Sequence, residues 1–251
     1  MRPLTSFWFI ASLIFFSLIF VVHGESSAVT SVSSDNSDIE FSKNETQNEP
    51  YYICGKNGQQ PSEGVNCYCS ENKVECSSHF RRIKPLKNAN IQLLISNFTV
   101  EYVDIEEQNF GILKKDKTLP DIAKNVKILQ LSFNNITMIE DGTFDKFDNL
   151  ENLILNSNKI QNMSSKVLTE KLGSKLKHLN LNDNKVSLSS LNFTYLTNLN
   201  SLSLGFNQNI GKELTSSSTW EFPKELANLI DLNFFLCKIT IIPDNMFKNL
   251  M

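Results

Sequence analysis

The pattern LxxLxLxxNxI, met again and again in the second half of the chain, limits its fold more than any other feature. It reads VKILQLSFNNI from Val126, LENLILNSNKI from Leu150, LKHLNLNDNKV from Leu176, LNSLSLGFNQNI from Leu199 and LIDLNFFLCKI from Leu229. The anchors Leu129, Leu153, Leu179, Leu202 and Leu232 lie 24, 26, 23 and 30 residues apart. A unit of that period cannot bury its apolar edge alone, so neighbouring copies must stack and share a core. A degenerate copy is expected near Asn90, with Leu93 and Ile95 as its inward pair and Val100 closing it. The longer gap from Leu93 to Leu129 holds the charged run KKDKTLPD and reads as an insertion on one face.

Within each copy the spacing predicts a short strand whose central pair, such as Leu153 and Leu155, points inward while Ile154 and Asn156 point to the other face. Stacking makes a parallel sheet over a core of leucines, each contributing ~1.5–3 kcal/mol when fully buried. Asn134, Asn158, Asn184 and Asn207 stand where the chain must leave the strand, and an inward amide there can serve unpaired backbone groups of the bend and its neighbour. In the fifth copy Cys237 takes that place. It reads as a buried free thiol, with an intermolecular disulfide or a reactive thiol as alternatives. Between strands, IEDGTFDKFDNL and IIPDNMFKNL match Ile139 with Ile242 and Phe144 with Phe247, residues expected to pack an outer wall.

The first residues, MRPLTSFWFIASLIFFSLIFVVHGESS, set one Arg ahead of an uncharged apolar run from Phe7 to Val22, then small residues around Gly24. This is the three-part form of a secretory signal, expected over residues 1–24. The alternative, an uncleaved anchor, is disfavoured because the run is shorter than the ~20 residues of a comfortable bilayer span. No membrane span is expected after it. Residues 25–50, rich in Ser, Asn and acids, hold too little apolar area to offset chain entropy and read as a disordered leader. Five sequons, Asn44, Asn97, Asn135, Asn162 and Asn192, agree with export. A net charge of -3 offers no electrostatic footprint for nucleic acid or an anionic membrane surface.

Cys54, Cys67, Cys69 and Cys76 crowd into YYICGKNGQQPSEGVNCYCSENKVECSS, which in an exported chain implies a disulfide-stapled module. The rival is zinc held by Cys67, Cys69, Cys76 and His79. That spacing lacks a Cys-X2-Cys knuckle and an oxidising compartment favours disulfides, so no metal or other cofactor is expected. Catalysis is not expected either. The three histidines are His23 in the signal, His79 beside the cysteines and His178 in the repeats, and no Gly-rich phosphate loop, GxSxG elbow or HExxH helix is present.

Val126 to Met251 resembles the repeats of typical-class extracellular leucine-rich-repeat proteins, and Cys54 to about Leu86 resembles their cysteine-rich N-terminal cap. CYCSENKVEC fits the cap's C-x-C-x6-C core, although the 12 residues between Cys54 and Cys67 exceed the usual number. The resemblance implies an α/β fold, a right-handed horseshoe solenoid with a parallel concave sheet and an irregular or short-helical convex wall. It implies the cap pairs Cys54–Cys69 and Cys67–Cys76, a cap over residues 51–88, and repeats over 89–251 that end within a repeat. Either the chain is a fragment or another molecule covers that end, by homo- or hetero-association. The family spans receptor ectodomains, Toll-like receptors, secreted immune proteins, matrix proteoglycans and adhesion proteins. It therefore implies a secreted or cell-surface protein that binds an extracellular protein or other macromolecule through its concave face. The alternatives are a structural matrix component and the ectodomain of a longer transmembrane receptor.

Positions flanking the inward leucines are expected to form columns across the concave sheet. One runs Phe133, Ser157, Asp183, Phe206, Leu236, with His178, Asn180, Asn182 and Phe235 beside it. Exposed phenylalanines on a regular sheet are costly to leave in water, so Phe206 and Phe235 are the expected anchors, with Asp183 and His178 as polar selectors. The alternative is that Phe206 folds over the NQNI turn and Phe235 covers a further repeat. A glycan on Asn97 would restrict the N-terminal end of the same face.

Overall fold

An LxL alternation gives each turn only a few residues of strand, too short to be stable unless its neighbours on both sides continue the ladder. The computed structural model describes residues 51–53, 67–77, 90–93, 99–119, 122–217 and 219–250. All fall in one unit, Glu45–Met251. The signal, the leader, Asn44, Cys54, His79, Ile95 and Asn97 lie outside the described residues. In chain order the strands are β1 (Tyr51–Ile53), β2 (Cys67–Cys69), β3 (Lys73–Cys76), β4 (Ile91–Leu93), β5 (Tyr102–Ile105) and β6 (Ile112–Leu113). They continue as β7 (Ile128–Gln130), β8 (Met138–Ile139), β9 (Asn152–Ile154), β10 (His178–Asn180), β11 (Ser201–Ser203) and β12 (Asp231–Asn233).

Eight of them form one sheet in the order β12-β11-β10-β9-β7-β5-β3-β2. Every pair is parallel except β2–β3, a hairpin closed by the Cys67–Cys76 disulfide. Cys69 is also disulfide-bonded, and the partner implied for it, Cys54, lies outside the described residues. The register aligns Val74, Val103, Leu129, Leu153, Leu179, Leu202 and Leu232 in a single row. All but Leu232 are buried, and Ile105, Leu131, Leu155, Leu181 and Leu204 form a second buried row behind them.

The sheet corrects the expected position of the first copy. Leu93 lies on β4, which pairs with β1 in a separate two-stranded sheet. The turn before Leu129 is carried by β5, with Val103 and Ile105 inward, 26 residues ahead of the next turn. KKDKTLPD is therefore no insertion: its described part follows β6, inside a turn of ordinary length, and buries Leu119. Its charges meet the following turn, Lys115 at 3.4 Å from Asp145 and Asp116 at 2.9 Å from Lys146. Exposed pairs of this kind contribute little.

The amides at the strand exits explain how the bends are held. Asn158 Oδ1 accepts from the N–H groups of Asn134 and Ile136, while its Nδ2 donates to the carbonyls of Leu131, Leu155 and Asn156. Asn184 donates to Leu155, Leu181 and Asn182, and Asn207 to Leu181, Leu204 and Gly205. Asn134 takes the N–H of Gln108 and donates to Ile105 O. Each amide thus reaches the turn before its own. Cys237 is a buried free thiol whose Sγ donates to Leu204 O at 3.0 Å, and burial pushes its pKa up.

A second asparagine series lies on the return side, where Asn149, Asn198, Asn228 and Asn249 donate to the carbonyls of Lys124, Ser174, Thr197 and Phe222 in the preceding turns. The return segments otherwise hold short 3-10 turns, the single-turn helix α1 (Glu170–Gly173) and α2 (Gln208–Ser216). Ile210 and Leu214 of α2 are buried, and the helix fills the longest interval between anchors. Gly211 permits this packing, because a Cβ there would come within 2.3 Å of Cys237 O. On the outer wall Ile139 and Phe144 are buried, whereas Ile242 and Phe247 in the last described turn are exposed. No helix among the described residues is long and apolar enough to cross a membrane, and no group of three metal-binding side chains gathers there.

Candidate binding face

The outward side chains of the sheet change character from one end to the other. On β3 and β5 they are charged: Lys73 pairs with Glu75 at 2.7 Å and lies over the Tyr102 ring at 4.8 Å. Tyr102 donates to Asp104 Oδ2 at 3.2 Å, and Gln130 Nε2 bridges Asp104 Oδ2 at 3.1 Å and Glu106 Oε1 at 2.7 Å. Burial first, and Glu106 second, raise the Asp104 carboxyl above its ordinary range. Burial and the Asp104 charge push Tyr102 up to about 12. Sequence reasoning missed this cluster because it missed the β5 turn. The signal was present in VDIEEQN, where Gln108 stands in the asparagine's place and is buried.

From β9 to β12 the outward positions are mostly amides and hydroxyls, Asn152, Asn180, Ser201, Ser203 and Asn233, with Ile154, His178 and Asp231 among them. His178 and Asn180 lie on β10, and Asn182 follows two residues on. Asn180 Oδ1 accepts the Asn182 N–H at 3.0 Å, and Asn182 Oδ1 accepts the Gly205 N–H at 2.6 Å. Asn233 Oδ1 accepts the Phe235 N–H at 2.8 Å. Phe206 and Phe235 meet edge to face, ring centroids 5.6 Å apart, and remain 47% and 60% exposed. Gly205 lets these two turns approach, since a Cβ there would stand 3.1 Å from Phe235 O.

The expected column Phe133, Ser157, Asp183, Phe206, Leu236 is not on the sheet. These residues sit at the bend that leaves it, all with left-handed backbone, φ 58, 56, 53, 62 and 57°. The reason lies one residue further on: turning the Asn or Cys side chain back toward the previous turn requires the residue before it to reverse the chain. Non-glycine residues in that conformation carry a cost of roughly 1–2 kcal/mol each, which the ladder must offset. The bend still brings Phe206 against Phe235 and leaves Asp183 exposed. Phe133 follows β7, three strands from β11 in the sheet order, and does not join the pair. Of the sequons, Asn135 and Asn162 are exposed, and Asn192 is half-buried with Oδ1 accepting the Thr194 N–H.

A mainly parallel sheet with few helices, two buried rows and an asparagine at four of the strand exits, with Gln108 and Cys237 in its place at two others, is compatible with a leucine-rich-repeat solenoid. A family profile described as Leucine rich repeat matches residues 124–170. The chain is also similar to Protein phosphatase 1 regulatory subunit SDS22 of Saccharomyces cerevisiae, with 33% identity over 110 residues. The match covers 43% of this chain and 31% of that protein's length.

Proposed function

We propose that this chain is a secreted or cell-surface recognition protein, without catalytic activity, that binds a macromolecular partner through the outward face of its strands. In this reading residues 1–24 are a signal, 25–50 a leader, 51–88 a disulfide-stapled cap of the Toll-like or secreted-immune kind, and 89–251 repeats stacked as a horseshoe with that face concave. Sugars on Asn44, Asn97, Asn135, Asn162 and Asn192 belong to the same reading. One observation carries the binding site: two phenylalanines in contact are left largely exposed beside a polar strand face. Apolar clusters rimmed by polar groups mark partner surfaces. The Cys67–Cys76 disulfide supports an oxidising compartment.

A second reading is favoured by the yeast relative, whose name makes it a regulatory subunit of a phosphatase. There the same face would dock a protein partner of that class. Expression in a eukaryotic cell separates the two. The first predicts glycosylated protein in the medium and co-purification of a surface partner lost on Phe206→Ala and Phe235→Ser but kept on Lys146→Ala. Retention of unglycosylated protein inside the cell, or partner binding that survives both phenylalanine substitutions, overturns it.

A further inference from the structure

We infer that the outward face of β10–β12 takes an extended polypeptide segment, whose carbonyls accept from Asn180, Asn182 and Asn233 and whose apolar side chain rests on Phe206 and Phe235. The inference rests on the recognition reading above and names the partner's chemistry. In each of the three amides Oδ1 faces a backbone N–H. Only an oxygen can accept there, so the amide's orientation is fixed and its NH2 is turned away from the bend. Those NH2 groups donate to no acceptor among the described residues, in contrast to the buried ladder amides, whose NH2 groups each reach three carbonyls in Asn158, Asn184 and Asn207. In register Asn180, Ser203 and Asn233 form one row across the three strands.

Along the row of Asn180, Asn182 and Asn233 the amides present N–H donors, and the carboxylates lie off that row, Asp183 in the bend and Asp231 two residues before Asn233 with its Oδ2 accepting from Ser201 at 2.9 Å. A sugar hydroxyl set on the row brings a donor of its own with its lone pairs and would set O–H groups against these N–H groups. An anion would meet no lysine or arginine on β10–β12, and Asp183 and Asp231 would repel it. A peptide carbonyl only accepts, and in an extended chain the N–H groups point elsewhere. Asn180 and Asn233 are two strand spacings apart, about 10 Å, the reach of about three residues of extended chain. Phe235 lies two residues beyond Asn233, at the end of that path.

The test uses the full chain against a phage-displayed library of random linear dodecapeptides, with a glycan microarray in parallel. Peptides carrying an aromatic or large aliphatic residue are expected to be enriched. Their affinity should fall about tenfold or more for Asn180→Asp and Asn233→Asp, which keep the oxygen that the bend needs but replace the NH2 by an acceptor. Unchanged thermal unfolding of both variants excludes misfolding. A complementary variant, Ser203→Asp, adds an acceptor to the middle of the row without touching a bend and is expected to weaken the same peptides. Failure to enrich any peptide, or saturable glycan binding instead, overturns the inference. So do peptides indifferent to all three substitutions. If such peptides are still lost on Phe206→Ala, the recognition reading stands while the amide row falls.

Discussion

The two ends of the long sheet carry the same kind of strand and treat it oppositely. At one end β2 runs antiparallel to β3 and is tied to it by Cys67–Cys76, and Val74 is fully buried. At the other, β12 is the outermost described strand; Leu232 and Phe234 are only partly buried, and Ile230 and Ile242 are 85% and 59% exposed. The motif is no weaker there, since LIDLNFFL keeps the spacing of LENLILNS. Burial in this fold is conferred by the neighbouring turn, and a residue's sequence position within the motif says which way it points but not how much it contributes.

The sharpest way to break that comparison is a pair of truncations in one row. Leu153→Ala, between two neighbours, is expected to cost about 3–5 kcal/mol by urea unfolding. Leu232→Ala, with a neighbour on one side, should cost only about 1 kcal/mol. Equal losses would mean that the β12 edge is covered in solution. Next, Cys67→Ser removes the link that closes the β2 edge and should lower stability by about 2–3 kcal/mol in the chain-entropy model. An unchanged midpoint would show that the hairpin holds without it. The smallest effect concerns Asp104. Its pKa is raised in the fold, so the folded state holds the proton more tightly than the unfolded chain, and the ionised carboxylate weakens the fold at neutral pH. Asp104→Asn should therefore gain under about 1 kcal/mol at neutral pH, discounted because the group is only half-buried. The gain should fade as the pH drops through the raised value and vanish below the ordinary carboxylate pKa. Destabilisation at neutral pH would instead mark the carboxylate as a needed acceptor for Tyr102 and Gln130.

The stacking was legible in the sequence wherever leucine and asparagine were literally present, from Val126 onward. It was written in substitutes at Val103, Ile105 and Gln108, because β-branched side chains fill the inward places as well as leucine, and a glutamine stands in for the asparagine at the bend, so the spacing was kept while the letters changed. Missing that turn also hid the Tyr102–Asp104–Glu106 cluster, which no local motif announces. The column from Phe133 to Leu236 was misplaced for another reason: period-two reasoning was carried three residues past strands that are only three residues long. The meeting of Phe206 with Phe235 depends on Gly205 and on register between turns some 30 residues apart, and only coordinates supply that.

The ladder amides give the molecule a direction in time. Asn158 satisfies the bend of the turn made before it, Asn184 does the same for the turn of Asn158, and Asn207 for that of Asn184. As the chain leaves the ribosome, each bend must wait for the next asparagine, about one repeat later, before its backbone is satisfied. The newest turn is always provisional, and a pause in translation just ahead of Asn184 or Asn207 exposes the preceding bend for as long as the pause lasts. Where Cys237 replaces the amide, the turn that waits on it receives a weak thiol donor at Leu204 O and a thiol contact at the Asn207 backbone, so the last bend described is also the most weakly secured.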